Sequence, residues 1–270
     1  MQRVDQEAEK DSQYGKSRLQ ILKTAETLMA TKGVYATSLR EINQGANQKN
    51  ASSVHYHFKD REGLIRAVLE NHIISVEKRR SSLIQTIRES YPILDTDLTK
   101  QLSDDKREEI LRLLVRSLIC PLAEKIYTRS GRNYLRIIQE IVFSGKTEIG
   151  GAKTPQTFDD LINFTNGIRI ASGYILKIVP EFPPLIVVMR GKVIARIVLS
   201  GLADLIPEIG PSQSIGDTVI DEDKNTFVFK KIGNIDLELV IANLTDVVLS
   251  IISYPVSDET LAVIRKSDLN

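Results

Sequence analysis

Cysteine occurs once in the 270 residues, at Cys120, so no disulfide can form within the chain. A sequence this poor in cysteine favours a reducing, intracellular compartment over secretion. Long apolar runs are missing too: the most apolar stretch, residues 183–189, is followed by Arg190 and Lys192, whereas a membrane-spanning helix needs about twenty apolar residues. Residues 1–16 are polar and lack the apolar segment of a secretion signal. We therefore expect a cytoplasmic protein with no membrane partner.

Histidine is almost as scarce, and the usual catalytic signatures are absent from the sequence. The three histidines are His55, His57 and His72, and no G-x-S-x-G, H-E-x-x-H or nucleotide-binding glycine pattern accompanies them. Residues two apart on a helix point about 200° away from each other, so His55 and His57 cannot easily bind one metal ion. We therefore predict no catalytic residue, no metal site and no cofactor.

The formal net charge of +1 conceals an uneven distribution of charge along the chain. Residues 1–82 contain 14 Lys and Arg residues against 10 Asp and Glu residues, a net charge of +4, and the remaining residues carry a net charge of −3. A basic N-terminal region joined to a mildly acidic remainder is typical of a protein that meets a polyanion at one end. The composition, 42% hydrophobic and 26% charged, is that of an ordinary globular protein.

The N-terminal part of the chain shows the pattern of several helices. Residues 1–15 are polar, without apolar periodicity, and are predicted to be a disordered arm. Apolar residues then recur at three- and four-residue steps, which predicts a helix over 16–32. Gly33 follows its basic last turn and suits the position after a helix C-terminus. Asp60 is expected to cap a later helix that continues towards Arg80.

Between these two helices the sequence predicts two short helices joined by a tight turn. Ser38 and Glu41 match the capping box that starts a helix, and Thr37 is an equally plausible N-cap. Asn47 stands in the turn, and asparagine is one of the few residues besides glycine that adopt a positive φ at low cost. The second short helix is expected over about 50–57, and its outward positions are almost all small or polar. This arrangement is the helix-turn-helix, whose second helix lies in the DNA major groove.

The rest of the chain is also predicted to be helical. Amphipathic or apolar segments predict helices over 107–117, 134–143, 158–178, 185–205, 235–253 and 257–264. Residues 218–220 and 226–229 could form a small hairpin. The predicted fold class is all-α. A disordered arm is expected over 1–15, an N-terminal three-helix helix-turn-helix head over 16–62 and a larger C-terminal helical body over 63–270.

Side chains that donate hydrogen bonds or carry positive charge surround the short helix pair. Duplex DNA offers phosphates, which attract cations and hydroxyl donors, and base edges, which polar side chains of the second helix can reach. The predicted phosphate contacts are Thr37, Ser38, Lys49, Tyr56, His57, Lys59 and Arg61. The predicted base-reading residues are Asn50, Ser52, Ser53 and His55.

Several motifs occur together at characteristic separations. I-L-K-T-A-E-T-L-M at 21–29 and G-V-Y-A-T at 33–37 precede T-S-L-R-E-I at 37–42 and V-H-Y-H-F-K-D-R-E-G-L at 54–64. With them the sequence resembles the TetR family of bacterial transcriptional regulators. The segment from Ile42 to Phe58 is one residue longer than the commonest spacing in the family. It resembles a subgroup whose members carry the pattern Q-[KR]-N-x-[SA]-x-V-x-Y-H-F, here Q-K-N-A-S-S-V-H-Y-H-F at 48–58.

The resemblance implies a head that binds double-stranded DNA and a helical body that binds a small-molecule effector and dimerises. The chain would then be a ligand-responsive repressor that acts as a homodimer on a palindromic operator. The segments 185–205 and 235–253 are too apolar for a solvent-facing role, so that two copies of each would form a four-helix bundle. The dimer-interface candidates are Val187, Val188, Ile194, Ile197, Val198, Leu239, Leu244, Val247, Val248 and Ile251. Many aliphatic and few aromatic residues in the body favour an apolar or amphipathic effector.

Three alternatives stay open at this point. Both apolar segments could be ordinary core helices of a monomer. The chain could be a helical protein-interaction module whose helix-turn-helix head no longer reads DNA. An enzyme housed in the helical body would need a catalytic constellation of Tyr, Asp, Glu or Lys side chains, which the sequence does not reveal.

Overall fold

The structure, a computed structural model, describes residues 2–48, 50, 52–96, 98–144, 166–206 and 236–267, with side chains from Tyr14 onwards. Across these residues the chain is all-α, as predicted. The first helices are α1 Gln2–Lys32, α2 Leu39–Gly45, α3 Ser53–Phe58, α4 Arg61–Ser90, α5 Asp104–Ala123 and α6 Arg129–Ser144. The later helices are α7 Asn166–Ile178, α8 Pro184–Ala203, α9 Leu237–Ser253 and α10 Asp258–Ser267. Short 3₁₀ segments occupy Pro92–Asp95, Leu98–Gln101 and Glu124–Tyr127.

Two other predictions depend on which residues the structure describes. The hairpin over 218–220 and 226–229 lies outside the described residues, as does the first part of the predicted helix 158–178. Within the described ranges, none of the helices taken alone has the length and apolarity to cross a membrane. By length and composition alone, α9 taken together with Asp258–Lys266 would be long and apolar enough, but the two helices are bent by 58° relative to each other.

Helix α1 is longer than its sequence predicts. Where we expect a disordered arm over 1–15, the structure has a helix that begins at Gln2. Residues 2–14 contain neither proline nor glycine, and eight of the thirteen are Gln, Glu, Arg, Lys or Ala, whose helix propensity is high, so the helix can continue upstream of its apolar face. The C-terminus is as predicted: Gly33 has φ 101°, and its N–H donates to the Met29 carbonyl at 3.0 Å.

One compact unit joins the N-terminal helices to α6. It comprises residues 1–79, 124–166 and 202–218. Within it α1 packs along α6 and against α2, and the buried core includes Ile21, Ala25, Met29, Ile42, Leu64, Ile65, Leu69, Leu135 and Ile137. Each large aliphatic side chain buried in this way contributes about 1.5–3 kcal/mol. The helix-turn-helix is therefore built on a substantial apolar core that α6 helps to form.

The other compact unit comprises residues 80–123, 167–201 and 219–270. Its α5 packs against α9 and the pair buries Ile110, Leu111, Leu114, Ile241, Leu244 and Val248. Two ion pairs flank this contact, Arg112–Asp246 at 2.6 Å and Arg116–Glu238 at 2.8 Å. Partly exposed ion pairs contribute about 0–1 kcal/mol each, so apolar burial holds the two helices together.

The predicted division at residue 62 does not coincide with a break in the chain's helices. Helix α4 begins at Arg61, next to the expected cap Asp60, and continues to Ser90. The boundary between the two compact units falls within it, after Arg79. The helix predicted to run towards Arg80 is therefore present and longer than expected.

Candidate nucleic-acid interface

Helix α2 starts at the capping box that the sequence predicts. The Ser38 N–H donates to Glu41 Oε2 at 2.9 Å, and the Glu41 N–H donates to Ser38 Oγ at 3.2 Å. Lys32 Nζ, at the end of α1, lies 2.7 Å from Glu41 Oε1. The hydrogen bonds from Lys32 and Ser38 lower the pKa of Glu41 to about 2, so this carboxylate stays ionised at neutral pH. Local chemistry thus fixes where α2 begins.

The turn after α2 is closed by its own hydrogen bonds. Asn47 has φ 52°, the positive φ that the sequence predicts at this position. The Gln48 N–H donates to the Asn43 carbonyl at 3.0 Å, and Gln48 Nε2 donates to the Ala46 carbonyl at 2.9 Å. The backbone polar groups of the turn therefore find partners without help from a distant element.

Helix α3 is short and has two different faces. Val54 and Phe58 are buried, with 1% and 6% of their surface exposed, and anchor the helix on its inner side. Ser52, His55 and Tyr56 are exposed, Tyr56 at 74%. A short helix held by two apolar side chains and polar on its outer face fits a major groove about 12 Å wide.

Asn50 and Ser53, two of the predicted base-reading residues, build the turn that leads into α3. Asn50 Oδ1 accepts the Ser52 N–H at 2.9 Å, and Ser53 Oγ donates to the Asn50 carbonyl at 2.8 Å. Ser53 would have to give up or share its hydroxyl hydrogen in order to donate to a base, and Asn50 Oδ1 already accepts a hydrogen bond within the turn. Asn50, Ser52 and His55 are exposed and Ser53 is half-buried, so Ser53 is the least accessible of the four candidates, while Ser52 and His55 take no part in the turn through their side chains.

Two predicted phosphate contacts point into the fold. Thr37 is only 1% exposed, and its hydroxyl donates to the Gly33 carbonyl at 2.8 Å. The structure corrects the prediction for Thr37, because a buried hydroxyl cannot touch a phosphate. Arg61 Nη1 and Nη2 donate to the carbonyl oxygens of Thr37 and Val34. The Arg61 guanidinium therefore braces the loop before α2 and is not directed outwards for a phosphate.

The remaining predicted phosphate contacts differ in their exposure. Tyr56 and Lys59 are exposed, so their hydroxyl and ammonium groups are available to phosphates. Ser38 is exposed too, but its hydroxyl donates its one hydrogen to Glu41 Oε2 at 2.8 Å and would have to give up that bond in order to bind a phosphate. His57 is half-buried. Lys49 lies outside the described residues.

The first described side chains of α1 pack against α3, a contact that the sequence reasoning missed. The Tyr14 ring lies 4.5 Å from the His57 ring and 5.8 Å from the Tyr56 ring, measured between centroids. Ser17 Oγ donates to Gln48 Oε1 at 2.7 Å and lies 3.3 Å from His57 Nε2. These contacts hold α3 and the preceding turn against the start of α1.

Arg18 completes this contact. Its guanidinium carbon lies 5.2 Å from the centre of the Phe58 ring, within the range of a cation–π interaction. Burial, followed by the positive charge of Arg18, lowers the pKa of His57. The three-residue spacing of Tyr14 and Ser17, which places them on one face of a helix, is the sequence signal that could have revealed the contact.

The ten dimer-interface candidates fall into three groups by exposure. Val188 and Leu239 are exposed, at 54% and 67%. The half-buried candidates are Val187, Ile194, Ile197, Val247 and Ile251. The candidates buried within one chain are Val198, Leu244 and Val248. These three are core residues, which corrects the prediction for them: α8 and α9 each bury part of their apolar surface within a single chain.

Comparison with known proteins bears on the helix-turn-helix. Residues 21–68 match the family model described as bacterial regulatory proteins, tetR family. This segment is similar to the helix-turn-helix domain of that family, and we call it the TetR-type head. The matched segment runs from within α1 through α2 and α3 into α4 and so contains the whole of the helix pair and its turn. The subgroup pattern at 48–58 stays a prediction.

The comparisons add less about the rest of the chain. No curated protein matches it. Among solved structures, the TetR family transcriptional regulator PfmR from Thermus thermophilus aligns with 85% of this chain and 96% of its own, at 15% identity and a TM-score of 0.43. A likeness of that degree carries no argument about the helices that follow the TetR-type head.

Proposed function

We propose that this chain is a sequence-specific, DNA-binding transcriptional regulator. The observation that carries the proposal is the TetR-type helix-turn-helix within residues 21–68, in which α3 has a buried apolar side and an exposed polar side. The charge distribution supports it, because the net charge of +4 over residues 1–82 would draw this end of the chain to phosphates.

The exposed side chains of the TetR-type head would have two roles. Tyr56 and Lys59 would bind phosphates and set the register of the head on the duplex. Ser52 and His55, exposed on and just before α3, would face base edges and provide the sequence preference.

The active species in this proposal is a homodimer. Helix α8 exposes Leu185, Val188, Met189 and Val193, each at 45–55%, and their spacing puts them on one side of the helix. Two copies of this stripe would cover each other about a two-fold axis. A two-fold dimer would carry two heads, which read successive major grooves when they lie about 34–36 Å apart.

Regulation by a small molecule and repression of transcription complete the proposal. An apolar or amphipathic effector that binds one conformation of the dimer more tightly must change operator affinity by the same coupling factor. Small helix shifts are enough to spoil the spacing of two heads. The likeness of the head to tetR-family regulators supports this part of the proposal, and an effector screen on the DNA complex would test it.

Equilibrium DNA binding over a salt series tests the proposal. The DNA would come from upstream of the gene and from pools selected out of random duplex, with scrambled duplex as competitor. We expect competitor-resistant binding whose log K falls with log salt by about 0.9 for each phosphate engaged. Binding that stays equal to that of the scrambled duplex for every selected pool would contradict the proposal and favour a protein-interaction module.

Two substitutions separate phosphate contact from base reading. Lys59→Gln should lower the salt slope by about 0.9 for each phosphate that the lysine neutralises and weaken binding to all sequences alike. Lys100→Gln, a matched change at an exposed lysine outside the head, should leave the slope unchanged.

His55→Ala should alter the selected bases and leave the slope unchanged. If the base preference does not change, His55 does not read the bases.

A further inference from the structure

One face of α6 carries a row of polar side chains that bond to α1, to α4 and to the loop after α1. Ser130, Asn133, Glu140 and Ser144 are separated by three, seven and four residues, a spacing that keeps them on one side of a helix. Ile137, at the matching position between them, is fully buried. This polar face of α6, defined by those four residues, lies along the side on which α1 packs.

Glu140 makes the most unusual contact of this face. Its Oε2 accepts the Val34 N–H at 2.8 Å, and its Oε1 is 3.4 Å from the Tyr35 N–H donor nitrogen. Glycine at position 33 is favoured by its φ of 101°, which L side chains rarely adopt, and not by the carboxylate, since a Cβ there would be in ordinary contact with Glu140 Oε2 at 3.4 Å. A carboxylate that accepts two consecutive backbone N–H groups holds the backbone itself, and bonds to a charged acceptor are the stronger kind.

The loop between α1 and α2 is also held by Arg61 and through the Tyr35 side chain. Arg61 donates to the carbonyl oxygens of Val34 and Thr37. The loop is therefore held through its carbonyl oxygens by a cation and through its N–H groups by the Glu140 carboxylate. The Tyr35 hydroxyl lies 3.1 Å from Ser144 Oγ on α6. Ser38, the residue that caps α2, follows directly. The loop from α1 to the helix-turn-helix is thus fixed through its backbone.

The other end of the polar face of α6 is anchored to α1 and α4. Ser130 Oγ donates to Glu26 Oε2 at 2.9 Å, Asn133 Nδ2 donates to Glu26 Oε1 at 3.2 Å, and His72 Nε2 lies 3.2 Å from Glu26 Oε2. Burial raises the pKa of Glu26, but the hydrogen bonds from His72, Ser130 and Asn133 outweigh it and leave the pKa lowered. Since α6 is anchored here, Glu140 reaches the loop from a fixed base.

We propose that Glu140 is a positioning residue for DNA binding: by holding the Val34 and Tyr35 amides it fixes the loop that joins α1 to α2, and with it the position of α2 relative to α1 and the way α3 is presented to the groove. The inference rests on the proposed DNA-binding function. It assigns to α6 a direct part in the geometry of the head, and Glu140 needs no contact with DNA for that role.

Glu140→Gln tests the role with little change of shape. The amide nitrogen would face one of the two backbone N–H groups, so one hydrogen bond disappears and two donors oppose each other. We expect operator affinity to fall by about tenfold, which is the equivalent of about 1.4 kcal/mol. The salt slope should not change, because the number of phosphates engaged stays the same. The added positive net charge acts in the opposite direction, since it favours DNA binding.

Controls separate positioning from stability and from the proposed function. Affinity is measured at a temperature where circular dichroism shows both proteins to be folded, and Glu108→Gln, the same change on α5, should bind like the unaltered protein. Tyr35→Phe, which removes only the hydroxyl contact to Ser144, should lower affinity by two- to threefold with an unchanged slope. If the unaltered protein binds an operator and both variants bind it equally well, the positioning role is wrong while DNA binding stands. If the unaltered protein itself does not bind, the proposed function fails first.

Discussion

Single side chains decide how firmly the start of the helix-turn-helix is held. Arg61 shows this clearly, because it donates to two backbone carbonyls that lie 24 and 27 residues upstream. A hydrogen bond from a charged group contributes about 1.5–3 kcal/mol. Arginine next to a helix N-terminus is typical of a phosphate ligand, yet here the nearest acceptors belong to the protein.

We expect Arg61→Ala to lower the free energy of unfolding by about 1.5–3 kcal/mol, because the two loop carbonyls lose their donor. Urea denaturation followed by circular dichroism measures this change. Arg40→Ala, at an exposed position of α2, should change it by less than about 0.5 kcal/mol. If the stability is unchanged and the salt slope of DNA binding becomes smaller, Arg61 contacts a phosphate as the sequence predicted.

The residues that sequence reasoning identified correctly have local partners. Ser38 and Glu41 bond to each other three residues apart, and the conformation of Asn47 is set by the turn it occupies. Glu140 bonds to amides more than 100 residues away, and no spacing rule connects such positions. Short-range chemistry was therefore predictable, and the long-range contacts that brace the head were not.

At the scale of elements, the corner between α3 and α4 depends on a close backbone approach. Asp60 Oδ1 accepts the Gly63 N–H at 2.7 Å, which confirms Asp60 as the expected cap. A Cβ added to Gly63 would collide with the carbonyl oxygen of Phe58. The end of α3 and the first turn of α4 can therefore lie this close only with glycine at position 63.

Gly63→Ala should destabilise the protein by about 1–3 kcal/mol, because the corner must open to admit the methyl group. Gly173→Ala in α7 is the matched control, since a Cβ there meets nothing within 4 Å, and it should stabilise by about 0.5–1 kcal/mol through helix propensity. The denaturation midpoints of the two variants should move in opposite directions. Equal midpoints would mean that the corner adapts without cost.

The sequence predicted which elements exist more accurately than where they end. Apolar periodicity located the helices around Ile110, Ile137 and Leu244, because a buried face repeats every three to four residues. The start of α1 was missed because residues 2–14 have helix-forming composition without an apolar stripe. A helix end that depends on helix propensity alone leaves only a weak pattern in the sequence, because no buried face marks it.

At the scale of the whole molecule, the exposed stripe on α8 governs the expected assembly. Val188→Glu combined with Val193→Glu should shift the protein from dimer to monomer in sedimentation velocity, because each subunit would bury two charges. Operator affinity should fall with it, since one head reads only half of the operator. Leu98→Glu, at a residue 51% exposed in a 3₁₀ segment, is the control and should leave the mass unchanged. A stable dimer of the α8 variant would place the interface elsewhere.

The apolar segments illustrate what the sequence cannot resolve at this scale. Val188 and Val198 are alike in the sequence pattern, yet one is 54% exposed and the other 5%. Hydrophobicity predicts that a residue will be covered, but the packing of distant helices decides whether its own chain covers it. Three of the ten interface candidates were for this reason core residues.

The bracing of the head by Arg61 and Thr37 has a consequence for how loss of function would depend on temperature. A substitution at an outward residue such as Lys59 removes a contact with DNA and weakens binding in the cold as much as in the warmth. A substitution at Arg61 or Thr37 weakens the fold, so binding would survive on cooling and disappear on warming. Temperature-sensitive mutations should therefore concentrate at the loop before α2, and temperature-independent ones at the outer face of α3.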